Sequence, residues 1–206
     1  MVGLATIQTL LFDMDGVFCH YDFRYHLTLL EEWTGVSAAE IDERIFKSGF
    51  EDAANRGHYG GDAYIDEIAR LLQFPIDAET WLLARAQAMT PYPKTAAIAR
   101  RLKDHYPMAL LSNNGWLLRE NISRILPELP EIFERRLFFS AETGASKEKA
   151  SSFAPLINML GWQAGTTWLI DVNPVNISAA SEAGLQTYHF SGPIAFTTDL
   201  IHLGLD

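Results

Sequence analysis

The 206-residue sequence contains one cysteine, Cys19, and no low-complexity tract. A single thiol cannot close an internal disulfide, and a thiolate metal site is excluded with it, so the expected setting is a reducing compartment, the cytoplasm. Basic residues are also scarce: 16 Lys and Arg stand against 26 Asp and Glu, a formal net charge of −10. Such a surface repels a phosphate backbone and an anionic bilayer, so neither nucleic acid nor a membrane is an expected partner. No long apolar run is present. Met1 to Leu11 carries no basic stretch, and Asp13 and Asp15 interrupt the run before it could serve as a leader or a span. What is present is ordinary globular composition, 48% hydrophobic and 20% charged. That excludes intrinsic disorder and suits one domain, or one domain with an insertion.

Short apolar runs alternate with helical patterns. Ile7–Phe12, Met108–Leu111, Arg136–Phe139, Thr167–Ile170 and Gln186–Phe190 read as strands, most of them apolar enough to be buried. Helical periodicity fills Thr95–His105, Trp116–Ile125, Ser151–Leu160 and Asn176–Ala183, the last followed by Gly184 as a C-cap. Strands alternating with helices imply right-handed crossovers and a doubly wound, Rossmann-like parallel sheet.

One stretch breaks the alternation. Between Val17 and Thr90 the sequence carries helical patterns at Tyr25–Thr34, Ala38–Ser48, Gly61–Leu72 and Ala78–Met89, with no strand between them. The expected organisation is an α/β core of residues 1–17 and 91–206, with residues 18–90 inserted as an α-helical cap. An insertion that leaves straight after the first strand is placed to act as a lid.

Open parallel sheets bind ligands at the carboxyl ends of their strands. The ends of the four main strands offer Asp13 and Asp15, then Ser112 and Asn113, then Lys147 a few residues past the third, then Asp171. Each alone is a common surface or capping residue. All four in order at strand ends is a pattern that chance composition does not produce.

These residues resemble the haloacid dehalogenase-like superfamily over essentially the whole chain. Asp13-Met14-Asp15-Gly16-Val17 is similar to its first motif, Ser112-Asn113 to its second, Lys147 within Ser140-Ala-Glu-Thr-Gly-Ala-Ser-Lys to its third, and Ile170-Asp171-Val172-Asn173-Pro174-Val175-Asn176 to its acidic loop. The inserted helices match the position of the family's cap. Within the superfamily the chain looks nearest to small capped sugar-phosphate phosphatases and to the phosphatase-like N-terminal domain of soluble epoxide hydrolases.

The resemblance implies a phosphatase working through an aspartyl-phosphate. Asp13 would be the nucleophile, dividing a high barrier into two steps. Asp15 would protonate the leaving oxygen and later activate water. A Mg²⁺ ion held by Asp13, the Asp15 carbonyl and Asp171 would neutralise substrate charge. Ser112, Asn113 and Lys147 would hold phosphoryl oxygens. An acid two residues after the nucleophile argues against dehalogenation, since a halide leaves without a proton. The sequence departs from the family at Val172, where many relatives carry a second acid, so Asp171 would ligate alone or with help from Asn173. Arg24 and Arg56 are the cap residues expected to read the substrate, with Asn114 and Trp116 shaping the pocket. The expected substrate is a small phosphorylated metabolite, a sugar phosphate first, and the expected assembly a monomer or homodimer. A phosphomutase on the same site and a catalytically impaired binding protein on the same fold are the alternatives.

Overall fold

The computed structural model describes residues 6–205; residues 1–5, part of the segment read for a leader, and residue 206 lie outside the described residues. Five parallel strands, β1 (Thr9–Phe12), β4 (Met108–Ser112), β5 (Leu137–Phe139), β6 (Thr167–Asp171) and β7 (Gln186–His189), form one sheet in the order β5-β4-β1-β6-β7. The strands β1, β4 and β6 are buried at every position, which is why they read as continuous apolar runs rather than alternating ones. Successive side chains enter opposite faces. Leu10, Phe12, Leu110 and Ile170 pack with Phe133 and Phe196 on one side, and Leu11, Ala109, Leu111 and Leu169 pack with Phe153 and Leu156 on the other.

The chain runs outward from β1 through β4 to β5, then returns to place β6 on the far side of β1. That reversal opens a crevice between the carboxyl ends of β1 and β6, where a doubly wound sheet binds its ligand. Asp13 follows β1 directly and Asp171 is the last residue of β6.

The stretch expected to be wholly helical contains strands after all. β2 (Cys19–Tyr21) and β3 (Met89–Pro91) pair antiparallel, with Cys19 opposite Pro91 and Tyr21 opposite Met89. Three residues are too few to show alternation, and a terminal proline speaks against a strand by composition. The chain therefore enters and leaves the cap helices through one ribbon. Between its strands lie helices at Phe23–Thr34, Ala38–Ile41, Phe50–Asn55, Gly61–Leu72 and Ala78–Gln87, and a π-helical turn at Asp42–Phe46. They bury Leu30, Ile41, Ile45, Ile68 and Trp81 together with Leu117, which belongs to the core helix Trp116–Ile125. A second contact sits beside it: Ser140 Oγ donates to the Asn55 carbonyl at 2.6 Å, and Gly57, at φ 84°, lies so close to the Ala141 carbonyl that a Cβ would approach it to 2.3 Å. No described helix is long and apolar enough to cross a membrane.

Candidate active site

Asp13 is buried at the end of β1, its amide donating to the Ile170 carbonyl at 2.9 Å. Lys147 arrives from the loop after β5, also buried, and its ammonium binds two carboxylates at once: Asp13 Oδ1 at 2.5 Å and Asp171 Oδ2 at 2.9 Å. Two further donors fix Asp171, the Asn173 amide on Oδ1 at 2.8 Å and Asn176 Nδ2 on Oδ2 at 3.0 Å. Asn113 holds the Lys147 loop, accepting the Lys147 amide on Oδ1 at 3.0 Å and donating from Nδ2 to Ser146 Oγ at 3.2 Å.

One ammonium cannot neutralise two buried carboxylates. Burial pushes the Asp13 carboxyl up to about 7; Lys147 draws it down, and the nearby Asp171 charge raises it again. For Lys147 burial opposes the charge, but Asp13 and Asp171 outweigh it and hold the ammonium above its ordinary range. Two carboxylates thus crowd around one ammonium at the crevice, a strain that Asp13 relieves by holding its proton and that a bound cation would relieve instead.

The donor set limits which cation would fit. Among the described residues no group of three or more His, Cys, Asp and Glu side chains is arranged to cage a metal. At the position of the expected second acid, Val172 presents methyl groups instead, packed so tightly on Gly16 (φ 84°) that a Cβ there would lie 2.7 Å from Val172 Cγ2. Two carboxylates without a full cage fit Mg²⁺, which keeps several waters and takes further ligands from substrate phosphate.

Asp15, two residues past Asp13, turns toward the cap. Its Oδ2 accepts from Arg85 Nη2 at 2.8 Å and from Asn114 Nδ2 at 3.1 Å, while Oδ1 meets the Cys19 thiol, at 3.7 Å. Arg85 comes from the cap helix Ala78–Gln87, and its guanidinium lies over the Tyr21 ring, 3.3 Å from the centroid. Asn114 Nδ2 also donates to Ser112 Oγ at 2.8 Å, tying the hydroxyl at the end of β4 to the same network. The Cys19 thiol is buried, and burial with the Asp15 carboxylate beside it pushes it far above the usual thiol range, so it is no nucleophile.

Asp13, Asp15, Ser112, Asn113, Lys147 and Asp171 therefore converge at one sheet edge. Arg24 and Arg56 do not join them: both are exposed, and neither lines the cavity between cap and sheet, whose walls include Asn114, Trp116 and Arg85. Arg85 is the cap cation that reaches the site. No motif marks it, because its partner lies 70 positions away; the one available signal is a cation on a helix that ends at the ribbon.

A family model for haloacid dehalogenase-like hydrolases matches residues 7–184. The chain belongs to this hydrolase family. Among solved structures it is similar to a predicted HAD-like family hydrolase from Porphyromonas gingivalis, with a TM-score of 0.82 and 21% identity over 96% of this chain and 98% of that one. A HAD family enzyme from Bacteroides thetaiotaomicron in complex with magnesium aligns with a TM-score of 0.78 and 20% identity over 88% and 92% of the two chains. The L-2-haloacid dehalogenase from Xanthobacter autotrophicus, with chloropropionic acid covalently bound, aligns less closely, at 0.63 and 16% over 96% and 83%. None of the curated proteins matches the sequence.

Proposed function

We propose that the protein is a Mg²⁺-dependent phosphatase of small phosphorylated metabolites, acting through an aspartyl-phosphate on Asp13. The observation that carries this reading is Asp15: a second carboxylate two residues past Asp13, with Oδ1 left outside the Arg85 and Asn114 pairings, where an alcohol leaving group needs a proton and a halide does not. The magnesium complex of the Bacteroides enzyme supports the choice of ion.

The chain's own groups divide the work. Lys147 holds Asp13 Oδ1, which leaves Oδ2 to form the bond to phosphorus as the ester P–O bond breaks. Arg85 and Asn114 both bind Asp15 Oδ2, so Oδ1 is the oxygen that hands a proton to the departing alcohol. The same oxygen then takes a proton from the water that cleaves the aspartyl-phosphate, releasing inorganic phosphate and restoring Asp13. Ser112 and Lys147 donate to the phosphoryl oxygens throughout. When bound at Asp13, Asp171 and the Asp15 carbonyl, Mg²⁺ supplies neutralisation of substrate charge.

The test is phosphate release from p-nitrophenyl phosphate with and without Mg²⁺, beside halide release from 2-chloropropionate. Phosphate release that EDTA stops and Asp13→Asn lowers at least about 10³-fold supports the reading. Turnover retained by Asp13→Asn, or halide as the product, overturns it.

A further inference from the structure

We infer that the cavity between the cap and the start of the helix Trp116–Ile125 receives a flat heteroaromatic leaving group bearing a hydrogen-bond acceptor, so that the substrates are phosphomonoesters of heteroaromatic alcohols. This inference rests on the phosphatase reading and narrows it. The position follows from Asp15. Its two Oδ2 partners, Arg85 and Asn114, both line the cavity. The cavity therefore adjoins the Asp15 network across these two side chains, and it is the space beside Asp15 into which the body of a departing alcohol can extend.

The walls set the chemistry. Tyr21, Phe46, Tyr59, Tyr64, Trp81 and Trp116 surround the space, offering ring faces and edges that favour a planar guest. Several polar groups of the lining are already engaged: Glu51 with the Tyr64 hydroxyl at 2.7 Å, Arg85 with Asp15, Asn114 with Ser112. A sugar would bring several hydroxyls into a lining with few free partners, and each unmatched group raises the cost of binding. The π-helical turn Asp42–Phe46 ends on Phe46, which stacks on Trp81 at 6.1 Å and 16°. Such turns re-aim side chains and recur at functional sites.

A second, independent observation points to the acceptor. His26 is 2% exposed and lines the same cavity. Its Nδ1 pairs with the Tyr21 hydroxyl at 2.6 Å, while its Nε2 has no partner. A phenol is the stronger acid of that pair, so we assign the shared proton to Tyr21 as donor, which leaves Nε2 carrying the N–H. A ligand that brings an acceptor would satisfy this buried donor. As it stands the cavity holds about 50 Å³, the space of a few waters, so binding a ring requires it to widen.

The experiment compares phosphate release from 3-pyridylmethyl phosphate, benzyl phosphate and glucose 6-phosphate, and measures 3-pyridinemethanol binding by quenching of Trp81 and Trp116 fluorescence. The expected result is a kcat/KM for the pyridyl ester at least about 100-fold above the sugar ester and about tenfold above the benzyl ester. The His26→Phe variant should lose the preference for pyridyl over benzyl, and the wild-type protein should bind the pyridyl alcohol more tightly than glucose. Glucose 6-phosphate hydrolysed as well as the pyridyl ester overturns the inference and leaves the phosphatase reading standing. Release from no ester defeats the phosphatase reading; saturable binding of the pyridyl alcohol then still supports the aromatic site, and its absence overturns that too.

Discussion

Arg85 and Asp15, 70 positions apart in the chain, are joined by a 2.8 Å ion pair in which the guanidinium is largely buried. The contact links the last cap helix to the loop that carries Asp13 and Asp15, so the placement of Asp15 depends on the cap being seated. Replacing Arg85 with Ala should leave Asp15 free to turn and lower kcat on p-nitrophenyl phosphate by about 10- to 100-fold. Arg85→Lys keeps the charge but not the planar face over Tyr21, and it should recover only part of the loss. An unchanged kcat in both variants would remove Arg85 from the positioning of Asp15.

Val172 and Gly16 make the second expectation. The valine methyls fill the place where a second acidic ligand would stand, and Gly16 has no side chain to meet them. Val172→Asp should lower the Mg²⁺ concentration for half-maximal turnover by about tenfold, since ligand charge sets affinity at an open oxygen site. In EDTA the same variant should melt lower, because a third carboxylate joins two that already share one ammonium. A Mg²⁺ titration and a thermal melt check the two halves separately.

His26 gives a pH dependence of known sign. Burial, with Arg85 nearby, lowers its pKa from 6.5 to about 3. Between those values the unfolded chain binds a proton that the folded one refuses, so this contribution to stability is full above pH 6.5 and is lost as the pH falls. By pH 5 the loss amounts to about 2 kcal/mol. Urea midpoints at pH 7.5 and pH 5 should differ by less in His26→Phe than in the wild type; an equal difference would contradict the assignment.

Gly57 is the tightest point of cap docking. Its φ of 84° and a 2.3 Å approach of any Cβ to the Ala141 carbonyl leave no room for a side chain. Gly57→Ala should cost about 2 kcal/mol or more in unfolding free energy, from the left-handed backbone and the collision together. It should also weaken the neighbouring bond from Ser140 to Asn55, visible as faster amide exchange through Phe50–Asn55.

The sheet and the strand-end residues were legible because both are written locally. A buried parallel strand is a continuous apolar run, and Asp13, Ser112 and Asp171 each stand at the end of one. The ribbon was not legible, since Cys19–Tyr21 and Met89–Pro91 become strands only by meeting each other. The cap side of the site fails for the same reason. Arg24 and Arg56 are near the nucleophile or in a promising turn by sequence, yet both face solvent, whereas Arg85 is brought in by the packing of its helix against the ribbon and the cap core. Phe46 likewise depends on a π-helical turn that no propensity announces.

The antiparallel pairing of Cys19 with Pro91 has one more consequence. Both ends of the cap leave the sheet side by side, so the whole insertion behaves as a cassette: a different set of helices, spliced at the same two positions, would inherit Asp13, Lys147 and Asp171 in place. What such a splice has to rebuild is the docking: the apolar seam at Leu117, which packs with the cap, the contacts of Asn55 and Gly57 with Ser140 and Ala141, and the Arg85 pairing of Asp15. Any transplant has to cover that seam, and diversification of this scaffold toward new leaving groups is confined to helices that can.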